Sequence, residues 1–180
     1  MRTHRRRRRS APAWSCSWAW VAATVVALGG CGSTRETASA PAPPTASVTA
    51  SGVTVTAVLR LPHDGRRELE VTFAPQPGFH IYGVDLPEGG VDGLGIPTRI
   101  GVRGDLAADG TPATGSSTRL LRLTGLATEL PVYPDGPVMF TLPVRRTGGH
   151  RAEVVVTYGA CSANACLKPE VDKAIPLDLR

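Results

Sequence analysis

The residues of this chain best suited to chemistry are two cysteines, Cys161 and Cys166. They stand in Tyr158-Gly159-Ala160-Cys161-Ser162-Ala163-Asn164-Ala165-Cys166-Leu167-Lys168-Pro169-Glu170. Set opposite each other across the loop Ser162 to Ala165, they have the spacing of a disulfide across a tight hairpin. Opposed residues of antiparallel strands hold their Cβ atoms about 4.5–5.5 Å apart, and a disulfide needs about 3.5–4.5 Å. Closing so short a loop contributes only about 2 kcal/mol of stability in the chain-entropy model. Such a bond is a weak staple, and exposed disulfides are the ones that exchange. Most disulfides of exported proteins are nonetheless structural. The pair alone therefore leaves staple and reactive centre both open.

A regular ladder through this hairpin would pair Val156 with Val171, Ala152 with Ile175 and Val155 with Asp172. Strand alternation then puts Val154, Val156, Tyr158, Val171, Ile175 and Leu177 on one apolar face. Cys161, Cys166, Lys168 and Asp172 fall on the other, more polar face. Asn164 tolerates the left-handed conformation that such loops often use.

The elements that must hold this hairpin are strands. Val53 to Arg60, Glu68 to Phe73, Thr98 to Val102, Arg119 to Leu123, Val138 to Val144, Glu153 to Tyr158 and Ile175 to Leu179 mix β-branched residues with alternation. Clusters of Gly, Pro and Asp separate them. No long helical period competes, so the pattern predicts an all-β antiparallel sandwich. Residues 52–180 suffice for one core.

The start of the chain reads differently. Arg2 and Arg5 to Arg9 precede an apolar run from Ala11 to Leu28, the order of an export signal, expected over residues 1–30. Leu28-Gly29-Gly30-Cys31 resembles a bacterial lipobox, which implies cleavage before Cys31 and lipidation there. An uncleaved membrane anchor is the alternative, although the apolar run is at the short limit for a span. A twin-arginine export signature is not completed. Residues 31–51, rich in Ser, Thr, Ala and Pro, read as a tether.

Six of the twenty Lys and Arg residues lie in residues 1–30, which hold no acidic residue. The remainder carries fourteen basic against fifteen acidic groups, a net of −1. The basic character belongs to the leader and does not point to nucleic acid. Cys16 would leave with the leader and Cys31 would carry lipid. Only Cys161 and Cys166 would remain for redox chemistry in an extracytoplasmic compartment.

The segment Tyr158 to Glu170 resembles the cysteine motif of the N-terminal domain of the thiol:disulfide interchange protein DsbD family. Pro77-Gly78-Phe79-His80-Ile81-Tyr82-Gly83 looks like that family's Gly- and aromatic-rich strand. Leu130-Pro131-Val132-Tyr133, with Phe140-Thr141-Leu142-Pro143-Val144, resembles its cap loop and following strand. The likeness covers roughly residues 50–180. It implies an immunoglobulin-like sandwich with a redox-active hairpin near the C-terminus and no cofactor. The implied donors are a membrane thiol reductase and a thioredoxin-like module. The implied acceptors are disulfide isomerases or thioredoxin-like proteins of cytochrome c maturation.

Carried over, Cys166 forms the mixed disulfide and Cys161 resolves it. Tyr82 and Tyr133 pack over the disulfide, Val132 stands at an aromatic cap position, and His80 assists proton transfer. Lys168 replaces a common Pro and would favour the Cys166 thiolate. The loop is one residue shorter than in the best-known members. Acidic groups expected beside the disulfide are absent, though Glu129 is near. With no membrane reductase or thioredoxin-like segment read in the sequence, such a domain is expected to work as a separate shuttle, tethered by the lipid expected at Cys31 and monomeric.

Two other classes stand beside this one. One is a binding module with an inert, covered disulfide. The other is a Cu(I) carrier using Cys161, Cys166, His80 or Met139, which lacks any Met-rich or His-rich run. No resident metal is expected, and no nucleophile motif or carboxylate pair suggests a hydrolase.

Overall fold

The computed structural model describes residues 41–61, 66–91, 93–122 and 127–180. The expected leader, Cys31 and the first part of the tether lie outside these residues. Every regular element among the described residues is a strand. None of them forms a helix long and apolar enough to cross a membrane.

Five strands make the larger sheet. They are β1 (Thr45–Ala50), β2 (Val53–Arg60), β3 (Arg67–Pro75), β9 (Val138–Arg146) and β6 (Leu106–Ala108), adjacent in that order. A second sheet places β10 (Arg151–Tyr158) between β12 (Glu170–Asp178) and β5 (Arg99–Gly104). Two small pairs complete the fold. β4 (His80–Ile81) joins β11 (Ala160–Cys161), and β7 (Arg119–Arg122) joins β8 (Glu129–Val132). All described pairings are antiparallel.

Alternation explains the packing. In β2, Val53, Val55, Ala57 and Leu59 point inward while the threonines between them are half-buried. They meet Val154, Val156, Ile175 and Leu177 of the second sheet in one core. Phe73 joins the sheets: its ring meets Phe140 edge-on at 5.7 Å and Tyr158 at 5.6 Å. Such aromatic pairs add about 0.5–1.5 kcal/mol beyond the area they bury. The fold is the all-β sandwich that the sequence predicts.

The chain joins the sandwich earlier than the tether reading allows. Thr45–Ala50 is an edge strand, paired from Thr45↔Val58 to Ala50↔Val53. Its side-chain hydroxyls bond those of β2, Ser47 to Thr56 at 3.1 Å and Thr49 to Thr54 at 2.9 Å. A linker-like composition has been drawn into the ladder by the unpaired backbone of β2.

The regular hairpin ladder is also corrected. Val156 faces Lys173, not Val171, and Ala152 faces Leu177, not Ile175. Two slips produce the shift. Near the cysteines, Leu167 N–H bonds Ala160 O, but Tyr158 already faces Glu170, so Gly159 stands against both Lys168 and Pro169. A second bulge follows, where Thr157 faces Val171 and Asp172. Asp172 takes φ +49° and its N–H bonds Thr157 Oγ1 at 3.0 Å. Two slips together preserve side-chain parity, so Ile175 and Leu177 still point inward. Val171 does not, and is 64% exposed.

Candidate functional site

Cys161 and Cys166 form a disulfide with an S–S distance of 2.03 Å and Cα atoms 4.1 Å apart. They face each other as an isolated bridge beyond the end of β10. The loop between them is organised by Ser162 rather than by Asn164. Ser162 N–H bonds Ala165 O at 2.8 Å, and its Oγ accepts the N–H groups of Asn164 and Ala165 at 3.3 and 3.1 Å. With a hydroxyl satisfying these donors, Asn164 does not adopt a left-handed conformation.

The two sulfurs have unlike surroundings. Cys161 is 2% exposed, in a small apolar cluster with Tyr82, Leu86, Leu130 and Val132. Cys166 is exposed. The expectation that both cysteines lie on a polar face therefore fails for Cys161. Tyr82, Leu86, Leu94, Leu130 and Val132, distant in sequence, fold over that face and cover it.

Tyr82 is the closest polar neighbour. Its hydroxyl donates to Cys161 Sγ at 2.7 Å and lies 3.7 Å from Cys166 Sγ. Burial pushes its pKa up to about 12, partly opposed by a hydrogen bond from the Gly95 backbone. The phenol is thus protonated throughout the physiological range and is a standing donor to sulfur. One glycine makes room for its ring and another for its neighbour Leu130. Gly159 presses on its ring, where an added Cβ would sit 3.2 Å from Cδ2. Gly95 has φ +72°, and a Cβ there would lie 3.0 Å from Leu130 Cδ1.

His80 stands opposite Cys161 in the β4–β11 pair. Its ring, however, turns to two charged groups. Arg119 Nη2 donates to Nε2 at 3.0 Å, which assigns the ring proton to Nδ1. Nδ1 lies 2.8 Å from Asp135 Oδ1, but off the N–H direction, so it lacks a well-formed hydrogen bond. Burial lowers the His80 pKa most, Asp135 raises it, and Arg119 lowers it further. The imidazole is therefore neutral near pH 7.

The other expected residues divide. Val132 is fully buried in the Cys161 cluster and bridges Tyr82. Tyr133 instead lies in the main core, edge-on to Phe140 at 5.6 Å. Its phenol pKa is raised by burial and by Asp85, and lowered by a backbone bond from Val84. Lys168 is exposed and outside the strands, so the regular ladder that aligned it with Cys166 does not reach it. Met139 is exposed on β9 opposite Thr72. Among the described residues, no group of three or more His, Cys, Asp or Glu side chains is placed to hold a metal.

Sequence reasoning missed Gly95, Leu86, Asp135 and the part Arg119 plays beside His80, and it named Leu130 only as the first residue of the cap-loop segment. Gly93-Leu94-Gly95 was the one local sign, two glycines close together in a chain otherwise rich in strands. The crevice lined by Tyr82, Gly95, Cys161, Cys166, Leu167 and Pro169 has a volume of about 20 Å³. That is room for about one water, whereas ligand pockets run to about 300 Å³ and more. The site can react with a group presented at its surface. It cannot enclose a small substrate.

No family model matches the chain, and no curated protein matches it in sequence. Solved structures do resemble it. The N-terminal periplasmic domain of ScsB from Proteus mirabilis superposes with a TM-score of 0.54 at 17% identity, over 77% of this chain and 52% of that one. This chain thus spans about half the length of that structure. The N-terminal domain of DsbD from Neisseria meningitidis, in the reduced form, gives a TM-score of 0.43 at 16% identity, over 76% of this chain and 83% of that one. The likeness to the ScsB domain is one of fold.

Proposed function

We propose that this domain carries electrons by thiol–disulfide exchange through Cys161 and Cys166, outside the cytoplasm. The observation that carries this reading is the unlike burial of the two sulfurs. An incoming thiolate can reach Cys166, while Cys161 is the sulfur held under a hydrogen-bond donor.

A partner thiolate attacks Cys166 Sγ. The Cys161–Cys166 bond breaks, a mixed disulfide forms at Cys166, and Cys161 leaves as a thiolate. The Tyr82 hydroxyl is already aimed at that sulfur and stabilises the charge that develops on it. A second thiol of the partner then attacks its own sulfur in the mixed disulfide and releases Cys166 as a thiol. The hairpin is now reduced by two electrons and the partner is oxidised.

Delivery runs in reverse. The Cys166 thiolate attacks an acceptor disulfide, and Cys161 attacks Cys166 Sγ. The hairpin disulfide returns and the acceptor leaves reduced. Lys168, exposed two residues after Cys166, favours the Cys166 thiolate in this reading. Neutral His80 orients β4 against Cys161 through Arg119 and Asp135.

The size of the crevice favours protein partners. Thioredoxin-like proteins present a reactive sulfur at a surface, and a membrane thiol reductase would supply the electrons. Disulfide isomerases and cytochrome c maturation proteins are the acceptor classes that the motif resemblance suggests. Attachment to the membrane through lipid at Cys31, and a monomeric state, belong to the same reading. No cofactor is needed.

A second reading is favoured by one observation, the burial of Cys161: an inert staple in a binding module. The reduction potential separates the two. Titration against glutathione or dithiothreitol with thiol trapping is expected to place the pair above about −250 mV. A value below about −300 mV would mean a structural bond.

A further inference from the structure

The end of the sandwich away from the cysteines has a surface of its own. β2 and β10 run from one end to the other. Gly52, next to Val53, lies against Leu167 of the cysteine hairpin. At the opposite end, Leu59 N–H bonds Pro44 O at 2.9 Å and Leu179 N–H bonds His150 O at 2.9 Å. Eight-residue strands put roughly 25 Å between these ends.

At that far end Pro41 to Pro44, Leu61 and Leu179 line an open cavity of about 510 Å³. Arg67, Arg146 and Arg180 form its rim, and no acidic side chain lines it among the described residues. Leu61 is 67% exposed. Arg180 is paired with Asp178. Arg67 and Arg146 have no ion pair among the described residues; Arg146 donates to Gly149 O and His150 Nδ1. Arg67 and Arg146 thus carry positive charge beside exposed apolar surface with no carboxylate partner among the described residues.

We infer that this end of the domain rests on an anionic phospholipid bilayer, with Arg67 and Arg146 at the level of the phosphates and Leu61 and the prolines reaching the acyl boundary. Two observations select a bilayer over other occupants. The chain enters the sandwich at this end, through Pro41, ten residues after Cys31, the expected lipid site. The rim charges are guanidinium groups, complementary to phosphate, and the floor between them is apolar, as an interfacial contact requires. The disulfide is then presented away from the bilayer by the length of the domain. This inference shares membrane attachment with the proposed function, but not the exchange of electrons.

Residues 41–180 contain every described strand and both apolar clusters, so a protein of these residues, without the leader, is the test object. It is floated with vesicles of phosphatidylcholine holding about one-third phosphatidylglycerol, and with phosphatidylcholine alone. Binding to the anionic vesicles is expected to be about tenfold or more stronger. Arg67→Gln with Arg146→Gln is expected to lower it about tenfold, and Leu61→Ser several-fold. Arg122→Glu with Lys173→Glu, reversals away from this end, is expected to leave it unchanged, with thermal melts confirming that each variant folds. No flotation, equal binding to neutral vesicles, or binding that survives the Arg67/Arg146 change would overturn the inference. These readouts do not depend on whether the cysteines react.

Discussion

The hydroxyl of Tyr82 lies much closer to the buried sulfur of the disulfide than to the exposed one: 2.7 Å to Cys161 Sγ, to which it donates, against 3.7 Å to Cys166 Sγ. In the proposed exchange the donor therefore sits on the leaving group. A donor on the attacked sulfur would not help a negative charge that appears on its neighbour.

Tyr82→Phe keeps the ring and removes the donor. A hydrogen bond to a charged group is worth about 1.5–3 kcal/mol. Reduction of the variant by a dithiol is expected to be at least about tenfold slower in stopped-flow measurements. An unchanged rate would remove Tyr82 from the mechanism.

The single-cysteine variants should differ sharply. In Cys161→Ser, the remaining Cys166 is exposed and is expected to react rapidly with alkylating reagents and to trap mixed disulfides. In Cys166→Ser, buried Cys161 is expected to react at least about tenfold more slowly. Mass spectrometry after timed alkylation reads both. Each variant also loses about 2 kcal/mol of loop-closure stabilisation, so the comparison is made well below the melting temperature.

Gly159→Ala tests the close approach to Tyr82. A Cβ 3.2 Å from the ring forces either the tyrosine or the hairpin to move. Overpacking of this kind costs about 1–3 kcal/mol. Thermal unfolding is expected to fall by several degrees, with slower reduction as the phenol leaves Cys161. An unaltered Tm and rate would show that the contact is not tight.

His80 gives a pH dependence of definite sign. Its folded-state pKa lies below 6.5, burial being the largest cause. Between that value and 6.5 the unfolded chain binds more protons than the folded one, so stability rises with pH through this window and is flat above it. Acidifying from pH 7.5 toward 5 is expected to lower the Tm, with a slope of at most about 1.4 kcal/mol per pH unit from this group. His80→Asn should flatten the profile. An identical slope in the variant would assign it to other groups.

Removing β1 tests the correction to the tether. A chain starting at Ser51 loses the ladder of Thr45–Ala50 and the cover that Ala46 and Val48 give the core. Burial of two small side chains is worth about 2 kcal/mol. Urea unfolding should show a lower midpoint than a chain starting at Pro41. Equal midpoints would return β1 to the linker.

The main strands were legible because their burial follows a period of two: Val53, Val55, Ala57 and Leu59 all face inward, as the alternation requires. The sequence Thr45–Ala50 was not legible. Ala46, Val48 and Ala50 do alternate with Thr45, Ser47 and Thr49, yet these small residues and the prolines just before them gave the segment the composition of a linker, and the edge of β2 makes it a strand. The cysteine pairing could be read from spacing, but the unlike fate of its two sulfurs could not. The cover on Cys161 comes from Tyr82, which only the family resemblance places over the disulfide, and from Leu130, whose role no local pattern reveals. The register failed past Leu167 because two slips, one where Gly159 meets Lys168 and Pro169 and one at Asp172 with φ +49°, cancel in parity and so leave no mark on alternation.

Only the outer half of the cysteine hairpin stands clear of the sandwich: Ala160 lies in the main core and Cys161 in the apolar cluster with Tyr82, while Ala163 to Cys166 are exposed. β11 is two residues long and pairs with β4, not with β12. Gly159 and the Asp172 bulge separate it from the regular part of β10 and β12. In the proposed exchange, opening the bond between the sulfurs would free the exposed side, Ala163 to Cys166, while Cys161 stays anchored beside Ala160 and Tyr82. The domain is in this sense a frame that holds one sulfur and offers the other at a corner. Its oxidised and reduced forms would share one scaffold, and the structural reorganisation that accompanies each electron pair would stay local.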